Sequence, residues 1–125
     1  MNSSSNINYL HIKNNHFEIA KLYYYKENNV NVAVDYLEKI IQDLQMKMND
    51  YPLLKLAKIY QSIGKFYLMY LNKYEKAYEY YEKSLDIRRK LLPDDNTLVT
   101  QVKCEIISVY NMMKNFDHIL ALKKK

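Results

Sequence analysis

The chain has 125 residues and a net charge of +5, with 49% apolar and 26% charged residues; this is typical of one folded domain and excludes a largely disordered chain. One Gly and two Pro are too few for the turns of a largely β protein, so we expect an all-α fold. The one cysteine, Cys104, excludes an intramolecular disulfide, and the lack of a signal peptide or of an apolar run of about 18 residues predicts a cytoplasmic protein without a membrane span.

Six helices are predicted from the apolar periodicity and from the turn residues that separate them. Residues 1–8 are polar and expected to be disordered, the first helix begins at Leu10, and 123–125 form a basic tail. Asn115 is expected to end the fifth helix and to begin a short sixth one. The first five predicted helices cover about 10–26, 30–48, 52–71, 74–92 and 97–114.

A segment of the second predicted helix recurs 44 residues later, in the fourth: 33–41 reads AVDYLEKII and 77–85 reads AYEYYEKSL. The same offset carries Ala20 onto Gly64 and Tyr23 onto Tyr67. Self-similarity at such a period is typical of stacked repeats, in which no unit buries its apolar face alone. We therefore predict one domain over 9–122, with units at about 9–50, 51–95 and 96–122, the last incomplete.

The second unit carries a motif of aromatic, apolar and small residues at fixed spacing, Tyr60-x2-Ile63-Gly64-x2-Tyr67 and then Ala77-x3-Tyr81. We expect its two helices to approach most closely at Gly64 and Ala77, where no large side chain fits. This spacing resembles that of tetratricopeptide repeats. The repeat is longer than the usual length of about 34 residues, and with the segment 82–95 it resembles the kinesin light chain subgroup. The resemblance implies antiparallel helix pairs stacked as a right-handed superhelical solenoid of about 2.5–3 repeats.

The resemblance also implies a concave groove, lined by the first helix of every unit, in which a partner protein or peptide binds. The implied groove positions are Asn14, Phe17, Lys21 and Tyr24 in the first unit, Lys58, Gln61, Lys65 and Leu68 in the second, and Gln101, Cys104, Ser108 and Asn111 in the third. Lys21, Lys58 and Lys65 would form a positive strip that attracts an acidic peptide, and the alternative is a groove that is merely solvated. The paired Asn of the subgroup are absent, and only Gln61 and Ser62 would substitute for them.

Residue patterns for catalysis are absent. His11, His16 and His118 lack metal-ligand spacing, so neither a metal nor a cofactor is expected, and His16 is expected to pack at the aromatic position of the first repeat. Cys104 is expected to be half-buried and inert. Most tyrosines, Tyr110 among them, are expected in the core, and no RNA-binding motif is present. We therefore expect neither an enzyme nor a nucleic-acid-binding protein.

Two functions remain open. One is a non-catalytic scaffold or adapter that binds a partner on its concave face. The other is a structural or regulatory repeat segment of a larger protein, which packs on a fused domain or self-associates through its C-terminal end. An incomplete last unit favours the second function because it leaves an apolar edge, here predicted to comprise Val102, Ile106, Val109, Ile119 and Leu122.

Overall fold

A computed structural model describes residues 16–46 and 52–123, and these residues form five α-helices and no strand. The predicted all-α fold is confirmed. The expected start of the first helix at Leu10, the disorder of 1–8 and the end of the basic tail lie outside the described residues. The helices are α1 (His16–Glu27), α2 (Val30–Met46), α3 (Leu53–Tyr70), α4 (Tyr74–Leu91) and α5 (Thr97–Lys123).

The turns inside the two helix pairs, α1–α2 and α3–α4, each contain an asparagine with a positive φ. Asn28 and Asn72 follow α1 and α3 with φ of 48° and 53°, in the left-handed region that Asn tolerates better than most residues. The two asparagines are related by the same offset as the repeat. Asn29 then caps α2, because its Oδ1 accepts a hydrogen bond of 2.9 Å from the Asn31 N–H.

The second pair, α3–α4, is closely packed at Gly64. A Cβ atom placed on Gly64 would lie 3.0 Å from Cδ1 of Tyr81 and 3.1 Å from the backbone oxygen of Ala77. Both of these neighbours are themselves buried, so a larger residue does not fit without displacing one of them. The predicted close approach at Gly64 and Ala77 is confirmed.

Aromatic side chains fill the spaces between α1, α2, α3 and α4. His16 donates to or accepts from the Tyr36 hydroxyl at 2.8 Å, and Tyr23 packs on the Tyr36 ring at 5.3 Å between centroids. The expected packing role of His16 is therefore confirmed. A second aromatic group joins α3 to α4 and consists of Tyr60, Tyr67 and Tyr80. A third group joins α1 to α3 and consists of Phe17, Tyr24, Tyr25, Phe66 and Tyr70.

The last helix, α5, begins at an Asn96 cap, with the Leu98 N–H donating to Asn96 Oδ1 at 2.9 Å. It packs on α4 and continues to Lys123, so the prediction of a separate sixth helix from Asn115 is wrong. The reason is that 97–123 contain neither Gly nor Pro, and one Asn costs a helix less than about 1 kcal/mol. No helix in 16–46 or 52–123 has the length and apolarity needed to cross a membrane.

The exposed face of α5 differs from the predicted apolar edge. Val102 and Val109 are fully buried because they lie on the face that packs against α4. Ile107 and Tyr110 lie away from that face and are 59% and 46% exposed, so the expected core position of Tyr110 is wrong. Leu122 is exposed as predicted, and the side chain of Ile119 lies outside the described residues.

Candidate functional site

A groove of about 430 Å³ lies along α1, α3 and α5, the first helices of the three predicted units. The groove is lined by Phe17, Glu18, Lys58, Gln61, Ser62, Lys65, Leu68, Met69, Tyr81, Gln101 and Glu105.

Equivalent positions of the repeat follow one another along this groove. Phe17, Gln61 and Glu105 are related by successive steps of 44 residues, and all three line the groove. Nε2 of Gln61 donates to Oε1 of Glu105 at 2.8 Å, which joins the α3 wall to the α5 wall. On the other side, Nζ of Lys65 lies 4.5 Å from the centre of the Phe17 ring, in a cation–π contact.

The structure brings together half of the twelve implied groove positions, namely Phe17, Lys58, Gln61, Lys65, Leu68 and Gln101. Lys21 forms an ion pair of 3.8 Å with Glu18 and does not line the groove. The Tyr24 ring packs against aromatic rings of α3. Asn111 is exposed on α5 but outside the lining, and Asn14 lies outside the described residues.

The third unit contributes Gln101 and Glu105 to the groove instead of Cys104, Ser108 and Asn111. Gln101 and Glu105 are four residues apart and therefore share one face of α5. The implied third-unit positions lie one residue short of the 44-residue offset that relates 33–41 to 77–85. Glu105 follows Gln61 at that offset and accepts its hydrogen bond. Applying that offset to Gln61 would have identified Glu105 from the sequence. Cys104 is exposed, and its expected half-burial is wrong.

Glu105 is half-buried, and its Oε2 is buried without a hydrogen-bond partner in the described part of the chain. Burial raises the pKa of Glu105, because the charged carboxylate loses contact with water. The hydrogen bond from Gln61 and the positive charges of Arg88 and Lys65 oppose this shift without cancelling it. The floor of the groove thus holds a carboxylate that the protein solvates incompletely.

Two further polar side chains are buried on α4. Arg88 is only 3% exposed, and its Nη1 donates a long hydrogen bond of 3.4 Å to the Leu98 carbonyl. Burial lowers the pKa of Arg88. Its Nε and the Oγ of Ser84 have no hydrogen-bond partner within 16–46 and 52–123. Sequence reasoning missed both residues, since Arg and Ser are usually exposed.

The described residues contain no cluster of three or more His, Cys, Asp or Glu side chains that would hold a metal ion. The polar atoms gathered in the groove are amide, carboxylate, ammonium and hydroxyl groups, which recognise a ligand through hydrogen bonds and charge. Comparison of the chain with protein-family models, with curated proteins and with solved structures found no match.

Proposed function

We propose that this protein is a non-catalytic, cytoplasmic interaction module that binds a segment of a partner protein in the groove along α1, α3 and α5. In this proposal the helix pairs form a tetratricopeptide-like right-handed solenoid of the kinesin light chain type. The observation that carries the proposal is the groove itself. It is lined by repeat-equivalent residues of three successive first helices, Phe17, Gln61 and Glu105.

The contacts within the groove support binding without rearrangement. The Gln61–Glu105 hydrogen bond and the Lys65–Phe17 contact hold the walls together before a partner arrives. A preformed groove binds at a lower entropic cost than one that must order first. Lys58 and Gln101 are exposed at its edge and offer hydrogen-bond donors and an acceptor to a peptide.

The experiment that tests this function is affinity capture with the immobilised chain, followed by identification of the bound proteins. Lys58→Glu with Lys65→Glu reverses the charge of the groove, and Lys39→Glu with Lys55→Glu makes the same charge change on exposed positions outside it. We expect partners to be lost from the first variant and retained by the second, with the helical circular dichroism of both unchanged. Partners that bind all three proteins equally would contradict the groove assignment.

A second candidate function is self-association through the exposed side of α5, which Ile107 and Tyr110 favour because both are apolar or aromatic and largely exposed. A second copy of the chain would cover them. Light scattering over a range of concentrations should then show a dimer that Ile107→Glu converts to a monomer. A parent protein that is monomeric at every concentration would eliminate this candidate and leave the groove proposal unaffected.

A further inference from the structure

Glu105 brings a negative charge to the floor of the groove without forming an ion pair with any described residue. Lys65 and Arg88 act on it through space, but the only direct polar contact to its carboxylate among the described residues is the hydrogen bond from Gln61. The buried Oε2 has no partner there either. A carboxylate removed from water in this way destabilises the protein until a positive charge neutralises it.

The floor presents hydrogen-bond acceptors to a ligand. Because an ionised carboxylate only accepts hydrogen bonds, the Gln61 amide must turn its NH₂ group toward Glu105. The amide oxygen of Gln61 is then available to a donor, and Oε1 of Glu105 retains a second lone pair. A ligand that fits this floor must therefore carry N–H or O–H groups.

The lysines of the groove form no ion pair with the Glu105 carboxylate on its floor among the described residues. Lys65 is held over the Phe17 ring, and Lys58 is exposed at the edge, without an ion pair to the described residues. Lys21, which was expected to extend the positive strip, is paired with Glu18. A purely acidic peptide would meet the Glu105 carboxylate beneath the lysines, and like charges at short distance repel.

We propose that the groove selects a partner segment of mixed charge, in which a basic side chain contacts Glu105 and Gln61 on the floor and a neighbouring acidic side chain pairs with Lys58. This inference rests on the proposed function of the groove. Arginine is the best match for the floor, since its planar fork of N–H donors reaches two acceptors at once. The buried contact with Glu105 contributes most of the selectivity, because a charge pair at an exposed rim contributes little.

The test uses a library of random linear peptides displayed on phage, selected on the immobilised parent protein. The enriched peptides are sequenced, and one is synthesised and titrated against the parent, Glu105→Gln and Glu79→Gln. Glu105→Gln removes the charge but keeps the shape and the bond to Gln61, and Glu79→Gln is the matched change at an exposed position of α4 outside the groove. We expect enrichment of an Arg or Lys next to an Asp or Glu. We also expect Glu105→Gln to weaken binding at least about tenfold, and Glu79→Gln to leave it unchanged.

The outcomes separate this inference from the function on which it rests. Peptides that lack a fixed basic residue, or that bind Glu105→Gln as tightly as the parent, overturn the inference. If such peptides still lose binding on Lys58→Glu with Lys65→Glu, the groove function stands. A selection without any groove-dependent peptide overturns both. Replacement of the peptide arginine by citrulline, which removes its charge and leaves the protein unaltered, should weaken binding as much as Glu105→Gln does.

Discussion

The two helix pairs place different residues at equivalent positions of the same repeat. At the crossing of α1 and α2 the sequence has Ala20 and Leu37, whereas the crossing of α3 and α4 has Gly64 and Tyr81, and all four residues are buried. The larger Tyr81 side chain is accommodated because Gly64 has no Cβ. The comparison indicates that the repeat preserves the filled volume of the crossing rather than the identity of either residue.

The second helices of the two pairs, α2 and α4, differ in polarity. Where α2 has the apolar residues Ile40 and Leu44, the offset of the repeat places Ser84 and Arg88 in α4. Leu44, Ser84 and Arg88 are all buried, but the two polar residues hold atoms without hydrogen-bond partners in the described chain. The second unit therefore buries polar atoms without hydrogen-bond partners in the described chain where the first unit has apolar side chains.

The largest effect is expected at Gly64 and Tyr81, which take the places of Ala20 and Leu37 in the first pair. Gly64→Ala should lower the free energy of unfolding by about 1 kcal/mol, since an overpacking cost of about 2 kcal/mol exceeds a gain in helix propensity of about 1 kcal/mol. In a Tyr81→Leu background, which reproduces the first crossing, the same change should destabilise the protein less, because the contact with the Tyr81 ring is gone and only that with the Ala77 oxygen remains. A double-mutant cycle measured by urea unfolding gives the coupling. Equal effects of Gly64→Ala in both backgrounds would show that the two positions are independent.

A less polar residue at a buried position of α4 should stabilise the protein. Ser84→Ala removes a buried hydroxyl that has no partner in the described chain, which should raise the free energy of unfolding by up to about 1 kcal/mol, including the gain in helix propensity. Ser62→Ala is the matched control, because Ser62 is partly exposed and bonds to the Lys58 carbonyl. Thermal or urea unfolding of both variants measures the difference. A Ser84→Ala variant less stable than the parent would mean that the hydroxyl is satisfied.

The aromatic contacts of the two pairs also differ, since Tyr36 hydrogen-bonds to His16 while the equivalent Tyr80 stacks on Tyr60 and Tyr67. Tyr36→Phe should lower the free energy of unfolding by about 1 kcal/mol, the usual net value of one hydrogen bond. Tyr80→Phe should cost less, because stacking does not need the hydroxyl. Equal losses in the two variants, measured by urea unfolding, would remove this distinction.

The smallest effect is expected from Glu105→Gln, which gives α5 the residue that α3 has at the equivalent position. Because burial raises the folded-state pKa of Glu105, the native protein binds more protons than the unfolded chain between the two pKa values, and stability falls as the pH rises through that window. The variant should therefore be more stable than the parent at neutral pH, and the difference should disappear below the ordinary pKa of 4.5.

Urea unfolding of both proteins from acid to neutral pH measures this effect. The groups that face Glu105 are Gln61 and Lys65 on α3, and Tyr81 and Arg88 on α4. Gln61 does not titrate, and burial raises the pKa of Tyr81, which therefore stays neutral over this range. A stability difference that does not change with pH would show that the Glu105 carboxylate is not the cause.

The sequence predicted most of the fold because the residues that end the helices act locally. Asn28, Asn72 and Pro93 mark the helix ends on their own, and the Gly64–Ala77 approach follows from a small residue at a fixed spacing. The helix end predicted at Asn115 was wrong, because a single polar residue seldom ends a helix that continues on both sides. The burial of Arg88 depends on α5 packing over α4, which no local pattern of residues reveals.

The similar turns at Asn28 and Asn72 allow the segment between them, one repeat in length, to be removed as a unit. Both turns hold an Asn with a similar positive φ, so we expect excision of 29–72, one whole repeat, to join Asn28 to Lys73 with little change at the turn. A deletion of one or two residues within a helix instead rotates the part that follows by about 100° per residue removed and turns its apolar face away from its neighbour. The chain is therefore expected to gain or lose length in whole repeats, both in evolution and in protein engineering.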